Sequence, residues 1–320
     1  MNNILVLSAG RRVELIQAFQ TEICERQLGA DVFAIDAQPA YSAACHVATD
    51  SKIAPRVTQP EYLNFLLETC IQWRVGLVIP TIDTELLLLA THRDEFSAKG
   101  IQLVISDQEL VRVCRDKRLT ADLFTAIGIS TPKIYPKDCL RFPCFAKPYD
   151  GSCSIGAMRV DSRDDLPVFA LEDEKMIFME FIGEDFSEYT IDAYYDKHGS
   201  LRALVPRERL EVRAGEVSKG ITRRNEVYNY LLPRLKKIQG ARGCLTLQVF
   251  SRRSDGAYAA IEINPRFGGG FPLSYSAGAN FPGWLIDEYL LGQEVSFCDQ
   301  WEKNLLMLRY DAKILIHDVF

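Results

Sequence analysis

Gln248, Glu262, Asn264 and Arg266 fall on what reads as one β-hairpin and its exit loop near the C-terminal end of the chain. Glu262 and Asn264 alternate with Ile261 and Ile263, so both point to one face of a strand. With the turn centred on Asp255, Gln248 lies opposite Glu262 on that face. Carboxylate and amide oxygens are the donors that Mg²⁺ takes. Arg266, fixed by Pro265, offers a fork to a phosphate. The combination suggests the handling of ATP and magnesium. The plainer alternative is a solvated polar face, with residues 268–270 as an ordinary loop.

Three further stretches carry chemistry. Residues 150–156 contain Gly151, Ser152, Ser154, Ile155 and Gly156, small or flexible enough for backbone N–H groups to approach phosphate oxygens. Lys147 just upstream adds a point charge. No Walker A pattern is present, and a hairpin turn is the plainer reading. Glu180, Phe181 and Ile182 form an extended segment whose backbone could meet an adenine edge, and Glu188 could accept ribose hydroxyls. An ordinary strand and turn is the alternative. The stretch 205–213 carries Arg207, Arg209 and Arg213 among acids and leads to Lys219. It reads either as a solvated strand or as cations near a transferring phosphoryl group.

These residues need a scaffold. Residues 3–7, 31–35, 76–79 and 101–105 read as buried strands, and 12–26, 61–73 and 84–96 as helices between them. That βαβ rhythm predicts a Rossmann-like parallel α/β domain over 1–106. Residues 107–128 are mainly helical and carry Lys117. Strands follow at 176–182, 189–195, 201–205, 244–250 and 258–264, which predicts α+β architecture over 107–320.

At 320 residues there is room for roughly two domains, and the net charge of −6 argues against a nucleic-acid partner. No run of 18 apolar residues offers a membrane span. The chain begins on a strand without the order of a signal peptide, so a cytoplasmic protein is expected. Nine cysteines form no C-x-x-C pair and read as reduced, buried thiols, and four dispersed histidines show no metal spacing. No Ser/His or Cys/His arrangement suggests a covalent nucleophile.

In order, Asp116-Lys117, Lys147-Pro148 with 150–152, 179–182 with Glu188, Gln248, and 262–266 resemble the ATP-grasp superfamily. Within it the chain is most similar to one synthetase half of the carbamoyl phosphate synthase large chain. The resemblance covers essentially the whole sequence and implies an ATP-grasp fold with a small lid subdomain at about 120–180. It implies that Lys117 and Lys147 contact ATP phosphates under a lid formed by 151–156. Glu180, Phe181 and Ile182 then read adenine, and Glu188 holds the ribose. Gln248, Glu262 and Asn264 would ligate magnesium, with two ions expected and Mn²⁺ as a substitute. Arg266 would steady a phosphoryl group or acyl phosphate, with Arg207 and Lys219 nearby. The implied reaction is ATP-dependent activation of a carboxylate as an acyl phosphate for attack by an amine or ammonia.

The chain has the length of one synthetase half and no amidotransferase segment, so carbamoyl phosphate synthesis by it alone is not expected. The partners implied are small-molecule carboxylate and amine substrates, and the superfamily suggests a homodimer. Candidate substrate residues are Ser8, Arg11 and Arg12 at the first turn, and Thr81, Asp83 and Glu85 after the third strand. Arginines at a helix start suit an anion. Two competing readings are a grasp-fold subunit that binds ATP without ligation and a dinucleotide-dependent oxidoreductase. The latter lacks G-x-G-x-x-G, since positions 8–13 read Ser-Ala-Gly-Arg-Arg-Val.

Overall fold

The computed structural model describes residues 2–151, 155–213 and 215–317. The first unit alternates strands and helices: β1 (Asn3–Val6), α1 (Val13–Glu25), β2 (Val32–Asp36), α2 (Ala43–Val47), β3 (Ser51–Ile53), α3 (Tyr62–Gln72), β4 (Val75–Ile79), α4 (Asp83–Thr91), α5 (Arg93–Ser97) and β5 (Gln102–Leu103). The strands pair in parallel in the order β3-β2-β1-β4-β5. Successive side chains of one strand face opposite sides. Ile4 and Val6 therefore join a core with Leu15, Ile16 and Phe19 of α1, while Leu5 and Leu7 join another with Leu66 of α3 and Leu86 of α4. The order reverses between β1 and β4, which opens a crevice at their C-terminal ends, the usual ligand position in such sheets.

Two of the sequence expectations change here. The single helix expected over 84–96 is two helices, because His92 leaves helical geometry at φ −102° and ψ 9°. The break lets α5 bury Phe96 and aim Arg93 at Asp107, 2.7 Å away. The strand expected over 201–205 runs on to Arg213, because it is hydrogen-bonded to a neighbour on each side.

The second unit starts with α6 (Gln108–Arg115) and α7 (Lys117–Ala126). A small sheet follows from β6 (Ile134–Tyr135), β7 (Cys144–Pro148), β8 (Met158–Val160) and β9 (Met176–Glu180), with α8 (Val168–Glu172) between the last two. Its order is β6-β9-β7-β8, and Cys144, Ala146, Val160, Ala170, Met176 and Phe178 give it a core of its own. The large antiparallel sheet is built from β10 (Phe186–Tyr195), β11 (Leu201–Arg213), β12 (Glu216–Thr222), β13 (Gly243–Arg252), β14 (Tyr258–Asn264) and β15 (Leu306–Leu308), in the order β14-β13-β10-β11-β12-β15. Helices α9 (Glu226–Leu235), α10 (Phe271–Ser276) and α11 (Phe281–Tyr289) complete the chain. The helix α7, expected in the lid, packs on β14 of the large sheet instead.

The apolar face of the large sheet shares one core with α1 and with the inner face of the parallel sheet. Of the described cysteines none is paired, and Cys45, Cys70, Cys144 and Cys244 are buried. Cys24 and Cys139 are exposed instead, Cys24 on the outward side of α1. Among the described residues no helix is long and apolar enough to cross a membrane.

Phe281 is central to the shared core. It is fully buried, with its ring centroid 5.1 Å from Phe271, 5.2 Å from Tyr194 and 5.3 Å from Trp284. Phe281→Ala should cost about 3–5 kcal/mol, read as a lower midpoint in urea unfolding. A change below about 1 kcal/mol would show that the two units do not rest on this core.

Candidate active site

On β10, Tyr189, Ile191 and Ala193 face the core, so Glu188, Thr190 and Asp192 face the other way. Backbone register extends this polar stripe across three neighbouring strands. Thr190 stands beside Arg207 on β11 and Gln248 on β13, and Gln248 stands beside Glu262 on β14. Asp192 stands beside Thr246, which stands beside Asn264. The expected pairing of Gln248 with Glu262 is thus the observed one. A bulge after that pair shifts the register to Val249 opposite Ala260.

The stripe is hydrogen-bonded within itself. Asn264 Nδ2 donates to Glu262 Oε1 at 3.0 Å, and Gln248 Nε2 to Glu188 Oε1 at 3.3 Å. Arg209 Nη1 donates to the same Glu188 oxygen at 2.8 Å. Burial nevertheless pushes the Glu188 carboxyl up from its ordinary value. Glu188 therefore sits on the Gln248 side of the cleft, already paired.

Two lysines face this stripe from other elements. Lys147 on β7 is buried, and its ammonium is pulled down to about 8 by burial, against the charge of nearby Glu262. Lys117 opens α7 behind the N-cap Asp116, and burial lowers it as well. Its Nζ donates to the Gly151 carbonyl at 2.6 Å and its backbone N–H to the Tyr149 carbonyl at 3.0 Å. Arg115 adds a bond of 2.7 Å to the Asp150 carbonyl, and the Arg118 guanidinium lies 3.8 Å over the Tyr149 ring. The start of the glycine-rich loop is thereby clipped to the junction of α6 and α7. Ser152 and Ser154 lie outside the described residues. Ile155 is exposed, and Gly156 follows with φ +72°, a conformation that suits glycine.

A cavity of about 70 Å³ joins these groups to the parallel sheet. Its lining includes Asp83, Lys117, Gly151, Glu262, Asn264 and Arg266. Asp83 Oδ2 accepts from Arg266 Nη2 at 2.8 Å, so the two units meet at the chemistry-bearing residues. Behind Asp83, Glu85 is fully buried and accepts from the N–H of Thr81 (2.8 Å) and of Ile82 (3.2 Å), from Ser8 Oγ (2.9 Å) and from Tyr62 Oη (3.5 Å). Thr81 Oγ1 lies 2.9 Å from the carbonyls of both Leu7 and Ser8. Ser8, Thr81 and Glu85 thus tie together the loops that follow β1 and β4. Arg11 projects into solvent 3.5 Å from Glu216, whereas Arg12 turns inward toward the Thr81 carbonyl at 3.5 Å.

Other expected site residues take different places. Arg207 is not a free cation. It is 1% exposed and bound in a fork to fully buried Asp192, with contacts of 2.7 and 3.0 Å. Lys219 stays at the surface, paired with Glu211 at 2.6 Å, and does not line the cavity. Glu180 is exposed at the end of β9, Phe181 lies 4.5 Å below the Arg159 guanidinium, and Ile182 follows outside any strand. Asp192, Glu216 and Arg309 escaped the sequence reading. The alternation of Glu188, Thr190 and Asp192 with apolar residues was the available signal for the first.

Comparison with known proteins agrees with this geometry. Residues 4–104 match the family of PylC-like N-terminal domains, and residues 172–310 match the family described as ATP-grasp in the biosynthetic pathway with Ter operon. The stretch 172–310, which carries the polar stripe, thus belongs to the ATP-grasp superfamily. A 3-methyl-D-ornithine–L-lysine ligase of Methanosarcina mazei is 25% identical over 83% of this chain and 67% of its own length. The ligase of the same name from Methanosarcina barkeri is 27% identical over 51% of this chain, and the chain spans only 41% of that relative. The biotin carboxylase domain of Hydrogenobacter thermophilus 2-oxoglutarate carboxylase, solved with ADP, magnesium and bicarbonate, has the same fold. It superimposes with a TM-score of 0.73 at 16% identity, over 95% of this chain and 73% of that one.

Glu85 makes the scaffold sensitive to pH. Burial holds its carboxyl at about 7, above the ordinary 4.5. Between those values the folded chain binds a proton that the unfolded chain has released, so stability falls as pH rises from 5 to 8, by at most roughly 3 kcal/mol. Glu85→Gln should remove that component. Urea unfolding of both proteins across this range should show the wild-type slope flattened in the variant, and parallel slopes would exclude Glu85 as the source.

Proposed function

We propose that the chain is an ATP- and Mg²⁺-dependent ligase that activates a carboxylate as an acyl phosphate for attack by an amine. One observation carries this reading: Lys117, Gly151, Glu262, Asn264, Arg266 and Asp83 line a single cavity shared by both units. The curated relatives are named ligases, and their name joins two amino acids. This supports amino acids as the class of both substrates. The likeness to the carbamoyl phosphate synthase large chain adds ammonia as an alternative nucleophile.

The donor set fits a magnesium–nucleotide complex. Glu262 contributes the one carboxylate among Gln248, Glu262 and Asn264, and it accepts from Asn264 Nδ2 at 3.0 Å. Among the described residues no cluster of three His, Cys, Asp or Glu stands ready to hold a metal alone. Such a sparse set of hard oxygens suits an ion that takes its remaining ligands from phosphates and water. When bound, Mg²⁺ supplies neutralisation of phosphate charge.

The chain's own residues do the rest. Lys117 and Lys147 meet ATP phosphates from two elements, and their burial strengthens the attraction. Arg266, aimed by Asp83, orients the substrate carboxylate and offsets charge on the acyl phosphate. A carboxylate oxygen attacks the γ-phosphorus, forming one P–O bond as the bond to ADP breaks. The amine nitrogen then attacks the acyl carbon, forming C–N as inorganic phosphate leaves, and the nitrogen's proton passes to solvent.

Phosphate release from Mg-ATP should appear with one pair in a screen of paired amino acids. Glu262→Ala combined with Asn264→Ala should lower it by about 10²-fold or more and weaken ATP binding. Unchanged ATP affinity in that double variant would sink the assignment of these residues. ATP binding by the wild type without turnover on any pair would favour a nucleotide-binding subunit.

A further inference from the structure

Arg12, at the inter-unit crevice, has no close counter-ion among the described residues. It projects from the start of α1, partly buried, and among the described residues its guanidinium makes one hydrogen bond, the long one to the Thr81 carbonyl at 3.5 Å. Among the described residues no carboxylate lies within 4.0 Å of it. Burial first, and the positive charge of Arg266 next, lower its guanidinium to about 10. Arg266 is itself incompletely satisfied. Its Nη2 donates to Asp83 and its Nη1 to the Phe267 carbonyl at 3.2 Å, but its buried Nε finds no acceptor among the described residues. Two like charges that repel each other, one without a close counter-ion and one with an orphaned donor, are the two halves of an anion site.

The surroundings narrow the anion. Glu216 lies near enough to raise Arg12, and Asp83 does the same from the other unit. Glu216 is fixed by Arg309 at 3.1 Å and Arg11 at 3.5 Å, and its carboxylate packs against Gly269, where a Cβ would come within 2.4 Å of Oε2. A single negative charge between the guanidiniums would offset their repulsion, whereas a second would meet these two carboxylates. A positive group beside the first would be attracted by them.

We propose that Arg12 and Arg266 clamp the carboxylate of a zwitterionic amino acid whose ammonium group faces Asp83 and Glu216. This rests on the ligase reading and goes beyond it by naming the residues that select the acid. Arg266 shares its cavity with Glu262 and Asn264, so the clamped carboxylate is the one presented to the γ-phosphate. Arg12 is the specificity residue contributed by the first unit, and Glu216 distinguishes an amino acid from a plain carboxylic acid.

The test is arginine modification by phenylglyoxal on the full chain, mapped by peptide mass spectrometry, with exposed Arg11 as the internal reference. The probes are a mixture of L- and D-amino acids, the matched acids lacking the amino group, and inorganic phosphate. Amino acids should slow modification of Arg12 by about tenfold relative to Arg11, and the other two probes should do much less. Glu216→Gln should erase the difference between amino acids and their deaminated counterparts. Arg12→Ala should raise the KM for the activated acid by about tenfold, with the KM for ATP little changed and partial rescue by Arg12→Lys. Equal protection by phosphate, or none by amino acids, overturns the clamp. ATP binding measured on the same sample separates the outcomes: bound ATP with an unprotected Arg12 refutes the clamp alone, and absent ATP binding refutes the ligase reading.

Discussion

The buried pair of Asp192 and Arg207 is the interaction on which the polar face of the large sheet depends. Two opposite charges lie almost wholly out of solvent between adjacent strands, joined by a two-bond fork. A buried charge is tolerable only when its remaining hydrogen-bonding capacity is met. Ser274 Oγ of α10 donates to Asp192 at 2.6 Å, and the Thr246 hydroxyl lies 3.4 Å from it. The same Thr246 hydroxyl donates to the backbone carbonyl of Arg266 at 2.9 Å. One ion pair therefore connects three strands, a helix and Arg266. Arg207 is thus linked to Arg266 through this chain of contacts.

The three glycines after Arg266 are the counterpart of that network. A Cβ on Gly268 would come within 2.9 Å of the Thr246 side chain, and one on Gly270 within 2.3 Å of Arg207 Nη1. One on Gly269 would collide with the Glu216 carboxylate. Each glycine meets a different polar group, so the loop is pressed against polar side chains along its length. What reads in sequence as a flexible linker is a segment pressed against fixed charges. Its lack of side chains lets the backbone run between the sheet and the crevice, and this sets where the Arg266 guanidinium emerges.

Local pattern and long-range assembly were not equally legible. The parallel strands, the hairpin register and the set of Gln248, Glu262, Asn264 and Arg266 could be read because alternation and a short turn determine them within about twenty residues. Arg207 and Lys219 could not be placed, since their fate depends on partners elsewhere: Asp192 on one adjacent strand for the first, Glu211 across a bulged hairpin for the second. Asp83 was visible as a polar residue at a strand end. Its partner Arg266 lies 183 positions away, and no local periodicity encodes such a contact. The break at His92 was hidden for a similar reason, because the pull of Asp107 on Arg93 acts from outside the helix.

The crevice between the two units and the cleft under the small sheet differ in how firmly they are built. Around the first, α1 is bolted to α10 and α11. Glu22 accepts from Arg26 at 2.5 Å and from Tyr275 and Asn280 at 2.7 Å each, and Arg26 reaches Asp287 at 2.7 Å. A common hydrophobic core lies beneath these bonds. The small sheet that carries Lys147 has a separate core, and its hydrogen bonds to the α6–α7 junction run through residues 149–151. A unit with its own core can tilt without opening the other. Movement that admits nucleotide would then leave Arg12, Asp83, Glu216 and Arg266 in place. A carboxylate held by the rigid crevice would wait at a fixed position, and closure of the small sheet would bring the phosphates to it.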